Sequence, residues 1–294
     1  MDKFPPLDSW FDITCVTINP DIVRYDLILK SGISPAEYQA LIDELCMVIA
    51  RLRLGNDYPQ WLTYWKNSTP IPPELKLRYQ NTFWKGFVST RATKRGAAPV
   101  YDPTALQGHI GELFLYIIQT QLNRLRISSC PEKPKPYSKS EGIDSLEIAG
   151  DMGDPASLHY TVWECKATTD VAYLSNYESK IYSQHLYETP KSFADTVDNL
   201  DHRLKDHPVL GPFIDGMIDD FYMNPPTLKK RFGGCVLLSP NNALHQNAFS
   251  GFRDKFIGIL ADPPECRQAR LCYVGDLEDV VEKVRIGIWT KLHP

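Results

Sequence analysis

The sequence predicts an α/β protein: a mixed central sheet flanked by helices, preceded by an α+β extension at the N-terminus. Three observations carry that prediction. From residue 101 onward, short apolar β-branched runs alternate with segments of helical period. Two strand-like runs, 144–148 and 160–166, flank a turn rich in glycine, aspartate and proline. The 294 residues are 43% apolar and 23% charged, the composition of an ordinary globular chain with ample core. The expected division is residues 1–100, an α+β region suited to binding a partner, and residues 101–294, the α/β domain.

The elements follow in order. Phe11 to Ile18 alternates and is β-branched, so it reads as a strand, and Ile22 to Lys30 as a second, with Asn19-Pro20-Asp21 as the turn. Ser34, Pro35 and Glu37 occupy the N-cap, N1 and N3 positions of a helix that runs through Arg53 and stops at Gly55. Short helices are expected over Tyr58–Trp65 and Glu74–Val88. Their aromatic residues (Tyr58, Trp61, Tyr64, Trp65, Tyr79, Phe83, Trp84, Phe87) read first as core. Thr104 to Leu125 is the clearest helix, with Leu106, Ile110, Leu113 and Ile117 on one face. Its Gly108 and Gly111 permit close approach to a neighbour and bring Glu112 toward the strand ends. Leu174 to about Lys205 reads as helical with a break near Pro190, and Pro208–Phe221 as a short helix. A buried strand follows at Phe232–Ser239, then a helix over Phe249–Leu260, a strand over Ala269–Val274, and a final helix over Leu277–Leu292.

The chemistry concentrates in the hairpin. Residues two apart on a strand share a face, so Glu164 and Lys166 project together while Cys165 turns into the core. A carboxylate and an ammonium on an otherwise apolar strand are costly to bury. They belong at an exposed end or at a site of chemistry. Asp144 opens the preceding strand.

Ile143-Asp144 followed by Glu164-Cys165-Lys166, behind a helix bearing Gly111-Glu112, resembles the PD-(D/E)xK superfamily, the restriction-endonuclease-like nucleases. The resemblance covers about residues 104–240. Ile143 replaces the proline of the family name, and the first core strand is hard to find between Ile127 and Glu141. The resemblance implies a restriction-endonuclease-like core and Mg²⁺- or Mn²⁺-dependent hydrolysis of phosphodiester bonds, in DNA or RNA. It assigns Asp144, Glu164 and the main-chain carbonyl of Cys165 as metal ligands. Glu112 would assist at the metal, and Lys166 would act on the attacking water or the developing charge. Lys180 and Gln184 are further candidates, since some members place such residues on the next helix. The layout is also similar to effector nucleases of bacterial anti-phage defence, such as the nuclease subunit of Hachiman-type systems, which works with a helicase. Within the superfamily, a stand-alone restriction enzyme is the alternative. Outside catalysis, the alternative is an adaptor that keeps the fold.

Composition adds limits. The net charge of −4 gives little general affinity for a polyanion, so DNA binding would rest on local clusters. Lys85, Arg91, Lys94 and Arg95 form the compact basic patch and the candidate phosphate contact. Lys229-Lys230-Arg231 is a second, shorter one. Seven scattered cysteines without a C-x-x-C pair argue against a zinc site or a disulfide framework. Met1 to Asp12 lacks the apolar core of a secretion signal, and no run of about 18 apolar residues occurs. A cytoplasmic protein is expected, with a helicase or ATPase as partner, and an oligomer is a further expectation. His185, His202 and His207 read as surface residues.

Overall fold

A computed structural model describes residues 5–89, 100–101, 103–121, 128–131, 143–168, 174–223, 226–238, 249 and 251–292. Among the described residues the main sheet has seven strands. They are β1 (Phe11–Asn19), β2 (Ile22–Leu29), β5 (Ser128–Pro131), β6 (Ser145–Gly150), β7 (His159–Thr168), β8 (Lys230–Leu238) and β9 (Arg267–Val274). The spatial order is β1-β2-β9-β8-β7-β6-β5. The centre, from β2 through β9 and β8 to β7, is parallel, and the outer pairs are antiparallel. Two further strands, β3 (Val88–Ser89) and β4 (Val100–Tyr101), form a separate ribbon.

Helices cover both faces, because the central strands are apolar on both. One face carries α1 (Pro35–Leu54), α2 (Tyr58–Asn67), α3 (Pro73–Phe87), α4 (Pro103–Gln121) and α9 (Leu277–Leu292). Their core residues include Leu45, Trp61, Phe83, Phe114 and Val284, packed with Trp163, Cys165, Cys235 and Cys272 of the sheet. The expected division at residue 100 falls inside this core, which α1–α3 share with α4 and α9. The other face carries α5 (Leu174–Ser183), α6 (Thr189–Leu204), α7 (Leu210–Asp215) and α8 (Met217–Tyr222). There Ile181, Phe193 and Phe221 pack on Val162, Phe232 and Leu271.

Local chemistry explains the boundaries. Ser34 and Glu37 form a reciprocal capping box at the start of α1, and Gly55, at φ +52, closes it. The aromatic residues Tyr58, Trp61, Tyr79 and Phe83 are buried, as core residues should be, while the side chains of Trp84 and Phe87 lie outside the described ones.

Three expectations need correction. Helical backbone does not break at Pro190. A π-helical segment, Gln184–Glu188, joins α5 to α6, and Pro190, in the first turn of α6, has no N–H to give the carbonyls of that segment, so the hydrogen-bond ladder changes there while the helical backbone continues. Phe249–Leu260 is not a helix. It holds one 3₁₀ turn, Asp254–Phe256, because Phe249 (φ +59) and Gly258 (φ +79) take left-handed backbone. The stretch between Ile127 and Glu141 does hold a strand, β5, four residues paired antiparallel with β6.

Candidate functional site

The hairpin β6–β7 forms as expected, with Ser145 opposite Trp163 and Ala149 opposite His159. Asp144 stands one residue before β6. Its Oδ2 accepts the main-chain N–H of Cys165 at 2.7 Å, which ties it to β7 between Glu164 and Lys166. Side chains alternate along β7. Trp163, Cys165 and Ala167 face α4, whereas Tyr160, Val162, Glu164 and Lys166 face α5 and α6.

Glu164 is only 2% exposed, and its carboxylate pairs with the Lys166 ammonium, whose side chain keeps 27% of its surface in solvent. Burial by itself would lower the Lys166 pKa. The carboxylates of Glu164 and Asp144 outweigh burial and hold the ammonium above the ordinary lysine range. Lys166 is therefore charged at any physiological pH.

The opposite face explains how Glu112 approaches. A Cβ built on Gly111 would lie 2.9 Å from the Ala167 Cβ and 3.6 Å from the Cys165 Sγ, so α4 rests directly on β7. Only glycine allows that contact. Glu112, next along the helix, is buried, with His109 Nδ1 3.9 Å from its Oε2. Burial, then the nearby Arg53 charge, hold His109 well below the ordinary histidine range. It is neutral, and the contact is not an ion pair. Burial pushes the Cys165 thiol up, partly offset by a hydrogen bond with Cys235, with the Asp144 and Glu112 charges adding to the rise. Glu112 thus lies near Cys165, on the face of β7 opposite Glu164 and Lys166. Among the described residues no three His, Cys, Asp or Glu side chains are placed to hold a metal ion together. What remains for a cation is the pair Asp144 and Glu164 with the Cys165 carbonyl. These are hard oxygen donors, the type taken by Mg²⁺ or Mn²⁺ rather than by a softer metal.

His185 is a correction. It is buried, not superficial. Its Nε2 donates to the Gly233 carbonyl at 2.9 Å, and its ring stacks on Phe232 at 4.6 Å between centroids. Burial, with the positive charge of Lys166 adding to it against the Gly233 hydrogen bond, lowers its pKa to about 4. The π-helical segment brings His185 to the charged face of β7. Of the two neighbouring candidates, Lys180 is exposed with its ammonium 5.0 Å from the Tyr177 ring centroid, and Gln184 is half-buried at the start of the π segment. The side chains of Lys85, Arg91, Lys94 and Arg95 lie outside the described residues. In the second basic cluster Lys230 is buried, its ammonium donating to the Phe221 carbonyl at 3.0 Å.

One buried group escaped the sequence. Glu147 on β6 accepts from Trp163 Nε1 at 3.0 Å and from Gln119 Nε2 at 3.3 Å, and Ser145 Oγ donates to Gln119 Oε1 at 3.1 Å. Arg270 stacks its guanidinium 4.1 Å from the Trp163 ring centroid. The network pins β6, β7 and α4 to one another behind the site. The signal was available: Glu147 lies on the same face of β6 as Ser145, opposite the face of Leu146 and Ile148. No helix among the described residues is long and apolar enough to cross a membrane. No protein-family model matches the chain, and no curated protein matches it.

Proposed function

We propose that the chain is a metal-dependent nuclease that hydrolyses phosphodiester bonds in DNA. The observation that carries the reading is the Asp144 carboxylate bonded to the main chain of Cys165, which gathers Asp144, Glu164 and Lys166 at one point of the hairpin. Asp144, Glu164 and the Cys165 carbonyl would hold the cation. A bound Mg²⁺ or Mn²⁺ would lower the pKa of a coordinated water and polarise a phosphate oxygen. Lys166, kept protonated by its carboxylate neighbours, acts as a charge and not as a base. It orients the attacking water and offsets negative charge as it develops on the phosphoryl group. Glu112 orients the site through the Cys165 side of β7.

The net charge of −4 gives little general affinity for a polyanion, and Lys230 of the second basic cluster is buried. A partner such as a helicase or another ATPase supplies that grip in this reading, as in a regulated effector of anti-phage defence. A second reading rests on a different observation. The described residues lack a three-side-chain metal group, and Lys166 already closes on Glu164. This suits an adaptor that retains the fold without hydrolysis.

Calorimetry with Mg²⁺ and plasmid cleavage with and without EDTA separate the two. The nuclease reading expects Mg²⁺ binding that Asp144→Ala abolishes, and EDTA-sensitive cleavage that the same substitution removes. Cleavage by the isolated chain is weak and rises with its partner. Absence of Mg²⁺ binding by the native chain, or equal cleavage by Asp144→Ala, ends the nuclease reading.

A further inference from the structure

Four Lys or Arg side chains are buried among the described residues, and three of them have oxygen partners. Arg53 donates to the Phe83 carbonyl at 3.4 Å, Lys230 to the Phe221 carbonyl at 3.0 Å, and Arg267 to the carbonyls of Asp262 and Pro263. Arg270 is the exception. It keeps 6% of its surface in solvent, its Nη1 is enclosed, and its guanidinium makes no hydrogen bond or ion pair with the described residues. Its contact is aromatic. Trp163 on β7 stands opposite Gly233 on β8, and a Cβ at Gly233 would lie 2.3 Å from the indole, so the glycine lets the ring lie across β8. Arg270, on β9, stacks on that ring at 4.1 Å from its centroid. A ring face offers a guanidinium no acceptor in its own plane. A buried charge without an anion is costly, and a buried polar group without a protein partner points to a bound ion or water. Tyr25 lies on the same face of the neighbouring strand β2, two residues beyond the register partner of Arg270. Burial pushes the pKa of its hydroxyl up to about 12 against the pull of the Arg270 charge, so it remains a donor at neutral pH.

We propose that Arg270 anchors an anion site for the carboxylate of a small acid, held by the guanidinium with the Tyr25 hydroxyl as a further donor. The fork of a guanidinium matches the two oxygens of a carboxylate. Exposure and charge select that ligand. With 6% of Arg270 in solvent, the opening admits the tip of a ligand and not a chain that continues on both sides, which excludes a backbone phosphodiester. One guanidinium balances one negative charge. Glu147 already stands at the indole, accepting from Trp163 Nε1 at 3.0 Å. A phosphate monoester, with nearly two charges at neutral pH, would bring excess negative charge beside it. The site lies on the α4 face of the sheet, opposite Glu164 and Lys166, and does not depend on the nuclease reading.

Thermal unfolding of the full chain tests this, with sodium acetate as the probe and sodium chloride exchanged for it to hold ionic strength constant. Acetate should bind with a dissociation constant of about 1 mM and raise the native Tm by about 5 °C at about 100 mM. Arg270→Met should abolish that rise. Without acetate it should unfold no earlier than the native chain, because an apolar stem replaces an unpaired charge. Tyr25→Phe should weaken acetate at least about tenfold, and it decides the matter if Arg270→Met does not fold. No rise in the native chain, an equal rise in Arg270→Met, or an unchanged acetate affinity in Tyr25→Phe overturns the inference. So does an equal or larger rise with inorganic phosphate at the same ionic strength. A folded Arg270→Met chain that is markedly less stable than the native one without acetate also overturns it, since the stack on Trp163 would then be the whole role of Arg270.

Discussion

Glu147 and Glu164 sit on adjacent strands of one hairpin, both almost fully buried, yet they are held in opposite ways. Glu147 accepts from neutral N–H donors fixed in the core, the indole of Trp163 and the amide of Gln119. Glu164 faces an ammonium on a flexible stem that still reaches solvent. Fixed neutral donors lock a carboxylate in place. A mobile cation can move aside for another cation or for a phosphate. In the proposed reading the two carboxylates therefore separate structure from chemistry within a single hairpin.

Exchanging each for its amide breaks or sharpens that contrast. Glu164→Gln should lower cleavage at least about 1,000-fold with stability nearly unchanged, since it removes a ligand and a charge from the site. Glu147→Gln should do the reverse, costing about 1 kcal/mol in denaturant unfolding because the two buried donors exchange a charged acceptor for a neutral one, with cleavage within about threefold of native. Loss of cleavage by Glu147→Gln in a stably folded protein would erase the distinction.

His185 extends the comparison to pH. Its pKa is about 4 in the fold against 6.5 as an ordinary histidine, so the unfolded chain binds the extra proton first. Stability is full above pH 6.5, falls as pH drops, and levels off below about 4, for a loss of about 3 kcal/mol. His185→Gln keeps a donor for the Gly233 carbonyl and should flatten that slope. An unchanged slope in unfolding experiments between those pH values would show that His185 is not the group responsible. The smaller of the two effects on rate belongs to Lys166. Lys166→Ala should retain Mg²⁺ binding by calorimetry and lose about 100-fold in rate. Loss of metal binding together with rate would merge its role with that of Glu164.

What the sequence disclosed follows the range of each interaction. The capping box of Ser34 and Glu37, the alternation along β7 and the Gly111 approach are local or near-local, and each is legible in the spacing of residue types. The burial of His185 was not, because it depends on a π-helical segment that shifts the ring onto Phe232. Neither was β5, whose four residues carry no periodicity and acquire meaning only beside β6. The insertion of β2 next to β9 joins residues far apart in the chain, and no local pattern encodes it. At the site, Glu164 and Lys166 announced themselves as charges in an apolar strand. Glu147 is one as well, and its partners Trp163 and Gln119 come from two other elements.

That insertion has a consequence for biosynthesis. Ile22 pairs with Ala269, so the second strand of the sheet waits for the last one to be made. Until β9 leaves the ribosome, β2 has no parallel neighbour, and β8, which braces the strand carrying Glu164 and Lys166, has an open side. Such long-range pairing slows folding and lengthens the time that strand edges stay exposed. In the proposed reading, the nascent chain stays inert until β9 is made, which protects the nucleic acids around the ribosome that makes it.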